Sequence, residues 1–341
     1  MKVLHVVDSD RFAGVERHVA RLARGQAAAG YRVVVLGGAA APVSLEAGPD
    51  VRHATAVGLL QTSSQVRRYA DGADVVHVHM TAAEVATALA RVGTRHRPPV
   101  VSTRHFALRR GSGPLGPVVA RVAGAVVDHQ IAISEFTADA VEGPSTVVLA
   151  GVDRQPDAQA ASDRERRVLL VQRLEEEKRA DLGIEAFARS GLATQGWSLH
   201  VVGEGALRPD LESLAERLLP TGVVRFTGRV DDVPRVMRDA ALMIAPTPGE
   251  HFGLSVLEAM SAGLPVVADG SGGHLETLGR VSGAALYHSL DADDAARLLR
   301  ALAGNAGARD AYAQAEQARQ RADFTLDAQV AATDAVYRSV L

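Results

Sequence analysis

A chain of 341 residues, 47% hydrophobic and 23% charged, has room for two cores of ordinary size and the balance of a globular rather than a disordered or fibrous protein. Its net charge of −3 gives no general pull toward nucleic acid. With no cysteine, disulfide frameworks, thiol nucleophiles and zinc–thiolate sites are excluded.

The charge is uneven. Residues 1–150 hold 16 basic and 12 acidic side chains, and residues 151–341 hold 21 and 28, which leaves at most a peripheral contact of the first half with a membrane. The apolar run at residues 3–7 is too short for a signal core, and no stretch approaches the roughly 20 apolar residues that span a bilayer. A cytoplasmic location is expected. Of the 37 basic residues only Lys2 and Lys178 are lysines, so Lys178 invites a chemical explanation.

In chain order, the β-branched runs at 3–7, 32–36, 75–78, 100–102, 130–133 and 147–149 read as buried parallel strands. Between them, 14–29 carries Val15, Val19, Leu22 and Ala23 at helical spacing and stops at Gly30. Helices are also expected over 81–92 and 134–141, opening at Thr81 and Ser134 as N-caps. The polar stretch 154–167 reads as a linker. The alternation then restarts with strands at 168–171, 198–202, 223–226, 242–245 and 265–268 and a helix near 180–189. Two such halves predict an α/β protein of two Rossmann-like, doubly wound domains facing a central cleft. The domains are 1–153 and 154–325, with the helix 326–341 packing back on the first.

The sharpest signal is Glu250-His251-Phe252-Gly253-Leu254-Ser255-Val256-Leu257-Glu258. A helix beginning near Gly253 points free amides at an anion, with one carboxylate before it and one about a turn inside. Carboxylates only accept hydrogen bonds, so they suit sugar hydroxyls. A solvated glutamate pair is the plain alternative. Arg173 and Lys178, in Gln172-Arg173-Leu174-Glu175-Glu176-Glu177-Lys178, follow the first strand of the second half, where ligands of such sheets sit, and Arg173 can grip a phosphate bidentately while Lys178 adds a point charge. Their plain alternative is pairing with Glu175–Glu177. Gly203-Glu204-Gly205 and Phe226-Thr227-Gly228 end two further strands, the glycines allowing close approach of a flat base.

In this order the segments resemble glycosyltransferase family 4 over nearly the whole chain. Ala13-Gly14-Val15-Glu16-Arg17-His18-Val19, Asp74-Val75-Val76-His77-Val78-His79 and Ala150-Gly151-Val152-Asp153 complete the pattern. The resemblance implies a GT-B fold and retaining, metal-independent transfer from a nucleotide diphosphate sugar, with uridine as the base, to a small-molecule or oligosaccharide acceptor. It implies that Arg173 and Lys178 bind the diphosphate and Glu258 the ribose hydroxyls. Glu250 and the amides of His251, Phe252, Gly253, Leu254 and Ser255 would hold the donor sugar and β-phosphate. Gly14 would close on the phosphates, and His79 would lie near the reacting centre. The chain departs from the family at Gln172 and Arg179, where glycines are usual, at Ala13 and at Ala150. The short, arginine-biased chain is also similar to antibiotic-tailoring members of the avilamycin type.

Weaker candidates lie in the first half. His79 is favoured over His77, which is expected on the opposite side of its strand; strand-end histidines are also often merely hydrogen-bonded. Asp8-Ser9-Asp10 looks like a metal-binding Asp-x-Asp but is read as a loop or acceptor contact, with no metal required. Arg104, His105, Arg109 and Arg110, leading into Gly111-Ser112-Gly113-Pro114, form either an acceptor-touching loop or a solvated charge run. A nucleotide-sugar epimerase and a silent nucleotide-sugar-binding protein are the rival functions.

Overall fold

Short valine-rich runs, buried on both faces, become the strands of two parallel sheets. The protein was analysed as a computed structural model that describes residues 1–111, 116–157, 159–230 and 232–341. It divides into one unit of Met1–Gly151 with Leu326–Leu341 and a second of Val152–Thr325.

In the first unit the strands are β1 (Lys2–Val7), β2 (Arg32–Leu36), β3 (Val51–Ala54), β4 (Val75–His79), β5 (Val100–Arg104), β6 (His129–Ala132) and β7 (Thr146–Val147). They lie in the order β3-β2-β1-β4-β5-β6-β7. In the second unit β8 (Glu165–Val171), β9 (Ser198–Val202), β10 (Val224–Gly228), β11 (Ala240–Ala245), β12 (Val266–Asp269) and β13 (Leu286–Tyr287) lie in the order β10-β9-β8-β11-β12-β13. Each sheet therefore reverses its winding once, between β1 and β4 and between β8 and β11. Ligands of such sheets sit beyond the carboxyl ends of the strands at that reversal.

The expected helices appear as Gly14–Ala28, Met80–Ala90, Glu135–Ala140, Ala180–Ser190, Leu254–Ser261 and Leu326–Val340. Ser134 caps its helix by accepting from Thr137 N at 3.0 Å. Thr81 does not cap: the helix starts one residue earlier, His79 occupies the cap position, and Met80 takes a φ of 72°. The linker is also shorter than expected. Arg164 is buried with its guanidinium on the carbonyls of Gln159, Ala240 and Ala262, and β8 begins at Glu165. The last helix lays Val336 and Tyr337 against Val3, Val75, Val101 and Ile131 of the first sheet. Among the described residues no helix is long and apolar enough to cross a membrane.

Candidate active site

At the reversal of the second sheet, β8 delivers Gln172 and Arg173 while β11 delivers the loop that reaches Glu250. Gln172 joins the two: its Nε2 donates to the Lys178 carbonyl at 2.8 Å and its Oε1 accepts from Thr247 Oγ1 at 3.2 Å. This is what the residue does at one position where the family usually has glycine. The other, Arg179, takes a left-handed φ of 51°, the conformation glycine tolerates best, and its guanidinium is held by Asp181 at 2.9 Å.

The turn so formed brings Lys178 Nζ to 2.6 Å from Glu250 Oε2, with both side chains less than one-fifth exposed. Burial opposes the charge on Glu250. The Lys178 ammonium nonetheless holds the carboxyl below its usual range, with smaller help from His274 and His251. Gly253, in the left-handed region at φ 90°, then opens the helix Leu254–Ser261, and an added Cβ there would come within 3.1 Å of the His274 ring. The N–H groups of Leu254 and Ser255 have no partner within a helix that starts at them and meet none outside it among the described residues. A half-buried ammonium, a half-buried carboxylate and two free amides thus lie at one sheet end. Glu258, half-buried, sits further along the same helix.

Several sequence assignments change on this geometry. Arg173 is 56% exposed and pairs with Glu177 at 2.8 Å, while Lys178 pairs with Glu250 instead of its sequence neighbours. Phe252 is buried and its ring packs edge-on against Phe324 at 6.0 Å, so only its backbone belongs to the turn. The glycines of Gly203-Glu204-Gly205 face protein, not an open face for a base. An added Cβ would lie 1.9 Å from the Gln172 carbonyl oxygen at Gly203 and 2.3 Å from that of Leu174 at Gly205. Thr227 bonds the Val201 carbonyl, and Phe226 is half-buried beside it. Sequence reasoning missed His274, which is buried, and the glycine-rich turn before it, whose Gly273 N donates to the Glu250 carbonyl at 2.6 Å. The signal was present as Asp269-Gly270-Ser271-Gly272-Gly273-His274, a glycine-rich stretch straight after a strand.

At the reversal of the first sheet the histidines gather. His77 and His79 are two residues apart on one strand and so face the same side, contrary to the expectation above. Their rings stack with centroids 4.4 Å apart. His79 is buried with one nitrogen on His5 and the other on His105, each at 3.0 Å, so it meets any ligand only through its neighbours. Burial holds His5 and His18 down to about 4 and His77, His79 and His105 well below the usual imidazole value, so all five are neutral near pH 7.

Asp8 is spent on structure: its carboxylate accepts from Gly58 N at 2.5 Å and Thr62 Oγ1 at 3.0 Å, closing the start of the helix Leu59–Ala70. Arg104 and Arg110 are neither free nor solvated. Both pair with Glu142, and Arg110 also grips the buried Glu84 at 2.6 Å. Arg109 is exposed and takes no partner among the described residues. Ser112-Gly113-Pro114 lie outside those residues. Gly14 opens the helix Gly14–Ala28 with nothing within 4 Å of where a Cβ would stand.

The comparisons agree with this two-part geometry. Residues 12–155 match the Glycosyltransferase Family 4 model and residues 152–321 match Glycosyl transferases group 1. The chain is 30% identical over 308 residues to the phosphatidyl-myo-inositol mannosyltransferase of Mycobacterium leprae, covering 78% of this chain and 80% of that protein. It is 29% identical over 222 residues to the 2-deoxystreptamine glucosyltransferase of Streptomyces kanamyceticus, covering 61% of this chain and only 55% of that one. Its fold is similar to that of Anabaena HepE, solved with UDP and glucose, at a TM-score of 0.81 and 21% identity over 100% of both chains. The protein belongs to the glycosyltransferases that join a family 4 segment to a group 1 segment, and it has their GT-B fold.

Proposed function

We propose that the protein is a retaining, metal-independent glycosyltransferase that moves a sugar from a nucleoside diphosphate, uridine diphosphate first among the candidates, to a hydroxyl acceptor. The observation that carries this reading is the Lys178–Glu250 contact of 2.6 Å beside the free amides of Leu254 and Ser255. The ammonium and the helix start offer positive potential to a pyrophosphate, and an ionised Glu250 accepts from hydroxyls of the donor sugar. Glu258 is assigned the ribose hydroxyls. Arg173 must leave Glu177 to reach a phosphate. That costs little, because exposed pairs contribute ~0–1 kcal/mol, less than a charged hydrogen bond to phosphate returns.

In the reaction the bond from the anomeric carbon to the β-phosphate oxygen breaks and the acceptor oxygen bonds on the same face. The acceptor proton passes to the leaving phosphate. Charge growing on the diphosphate is met by Lys178, Arg173 and the helix amides, the task a metal ion performs elsewhere. The acceptor is a small molecule or oligosaccharide offered to Arg109 and His105 of the first unit. An antibiotic intermediate is favoured by the similarity to an enzyme named for glucosylating 2-deoxystreptamine.

A panel of nucleotide sugars, followed by thermal stabilisation, identifies the donor by mass action. NMR of the product then reads the anomeric configuration. Lys178→Ala should lower kcat by about 10²-fold or more, with Lys178→Arg recovering part of it. An unchanged kcat in a folded Lys178→Ala protein contradicts the assignment, and conversion of donor to its epimer without acceptor contradicts the reaction.

A further inference from the structure

A transferase that leaves the acceptor proton on the departing phosphate has no need of five buried histidines, yet the first unit packs His5, His18, His77, His79 and His105 together. With the Gln26 amide in the orientation it has here, their hydrogen bonds set which nitrogen of each carries the proton. A neutral imidazole has one N–H and one lone pair, and a glutamine carbonyl oxygen only accepts. Gln26 Oε1 lies 2.7 Å from His5 Nε2, so that nitrogen is the donor and His5 Nδ1 is a lone pair. His79 Nε2, 3.0 Å from that lone pair, must donate to it, which leaves His79 Nδ1 to accept. His105 Nε2, 3.0 Å from His79 Nδ1, must donate in turn. His105 is thereby protonated at Nε2. Its Nδ1 remains a lone pair with no partner among the described residues.

The origin of the chain lies on the last helix. Gln26 Nε2 lies 3.1 Å from the Tyr337 hydroxyl and donates to its oxygen in this arrangement. The Tyr337 hydrogen is then free for His77 Nδ1 at 2.6 Å, and His77 Nε2 donates to Thr103 Oγ1 at 2.6 Å. Because every link is shared, the polarity is all-or-none: turning the Gln26 amide over would reverse each proton to the far end. The same helix sets His18 the opposite way. Gln329 Oε1 accepts from Gly151 N at 2.9 Å, so its Nε2 donates to His18 Nε2 at 3.1 Å and His18 keeps its proton on Nδ1. His5, His77 and His79 bring ligand atoms within 4.8 Å of one another, as a metal site would. A metal, however, needs three lone pairs aimed at one point, and here the ring nitrogens are engaged with each other or with Gln26, Tyr337, Thr103 and His105.

We propose that this chain is a tautomer lock, in which Gln26 and the Tyr337 hydroxyl hold His105 in its Nε2–H form so that the Nδ1 lone pair receives a hydroxyl of the sugar acceptor. The second half of that statement rests on the transferase reading; the lock itself does not. His105 is the contacting residue, and Gln26, His5, His79 and Tyr337 are positioning residues.

The test is ¹⁵N-histidine NMR of the full chain near pH 7, where each tautomer has its own nitrogen signature. The expected spectrum shows His5, His79 and His105 protonated at Nε2 and His18 at Nδ1. Tyr337→Phe and Gln26→Met should turn His105 into a mixture of tautomers. Tyr337→Phe should also raise the acceptor KM about twofold, because only the molecules that keep a lone pair at His105 Nδ1 receive the hydroxyl. Should Gln26→Met not fold, the wild-type spectrum and the milder Tyr337→Phe still decide. Nδ1–H on His105 in the wild type, an unmoved His105 in the variants, or one tightly held Zn²⁺ per chain shifting His5, His77 and His79 together overturns the lock. A correct lock with an acceptor KM that His105→Ala leaves unchanged removes only the hydroxyl contact. A correct lock in a chain that transfers no sugar removes the transferase reading instead.

Discussion

Two glycines show how differently one residue type is used. At Gly203 an added methyl would sit 1.9 Å from the Gln172 carbonyl oxygen, at a φ of 139° that other residues rarely adopt. Gly203→Ala is therefore expected to cost about 3 kcal/mol or more and to lower the melting temperature sharply, ligand or no ligand. At Gly14 no protein atom stands within 4 Å of the new methyl. Gly14→Ala should change stability by less than about 1 kcal/mol, yet weaken nucleotide-sugar binding measured by calorimetry if, as the resemblance to family 4 implies, Gly14 closes on the donor phosphates. A Gly14→Ala protein that binds donor normally removes Gly14 from the site. Both glycines were legible as glycines that matter. Only the coordinates tell a close backbone approach from an empty space.

Elements were read best where burial writes itself into composition. The valine runs of β1, β2, β4 and β5 are buried throughout or nearly so, and a short β-branched run bounded by turn residues is the mark of a central parallel strand. β3, with one fully buried residue in four, and the two-residue β13 carry no such run, and they went unread. Cross-element partners were illegible for a different reason. Lys178 meets Glu250 across 72 residues, and Arg110 meets Glu84 across 26, and no local spacing encodes either distance. The turn from β8 into the helix Ala180–Ser190 makes a testable case of a departure from family pattern. Arg179 stands in the left-handed region as both the end of one short turn and the cap of that helix. Any residue but glycine is strained there by roughly 1–2 kcal/mol, and the exposed pair with Asp181 offsets at most about 1 kcal/mol of such a cost. Arg179 already bears the general left-handed cost, so Arg179→Val should lower stability by the lost pair and the crowding of its second branch, about 1 kcal/mol, whereas Arg179→Gly should be close to neutral, as denaturant titration can show. A neutral Arg179→Val would mean that the turn relaxes out of the left-handed region.

Across the molecule the two units differ in how they keep buried ionisable groups neutral, and acid should separate them. The first unit buries imidazoles whose folded values lie below 6.5: His5 and His18 at about 4, and His77, His79 and His105 well below the usual value. As pH falls, the unfolded chain takes up these protons first, so the contribution is complete above about pH 6.5 and is lost progressively toward pH 4. A shift from 6.5 to about 4 amounts to roughly 3 kcal/mol for each of His5 and His18, which is large against the ~5–15 kcal/mol that holds a domain folded. The second unit has the opposite kind of group in Glu316, whose buried carboxyl is pushed well above its usual range and whose proton uptake favours the folded state as pH falls through that window. It also holds His200, His251 and His274 below their usual value, so it is not immune to acid. It has fewer such groups, and His200 and His251 are only partly buried. Between pH 6.5 and 4, amide protection in β1, β4 and β5, corrected for the slower intrinsic exchange in acid, should therefore fall before protection in β8 and β11. Over the first part of that range the fluorescence of Trp197, the chain's single tryptophan and a residue of the second unit, should hold its native value. An equal loss of protection in both sheets would mean that the buried histidines do not set the acid limit of the fold.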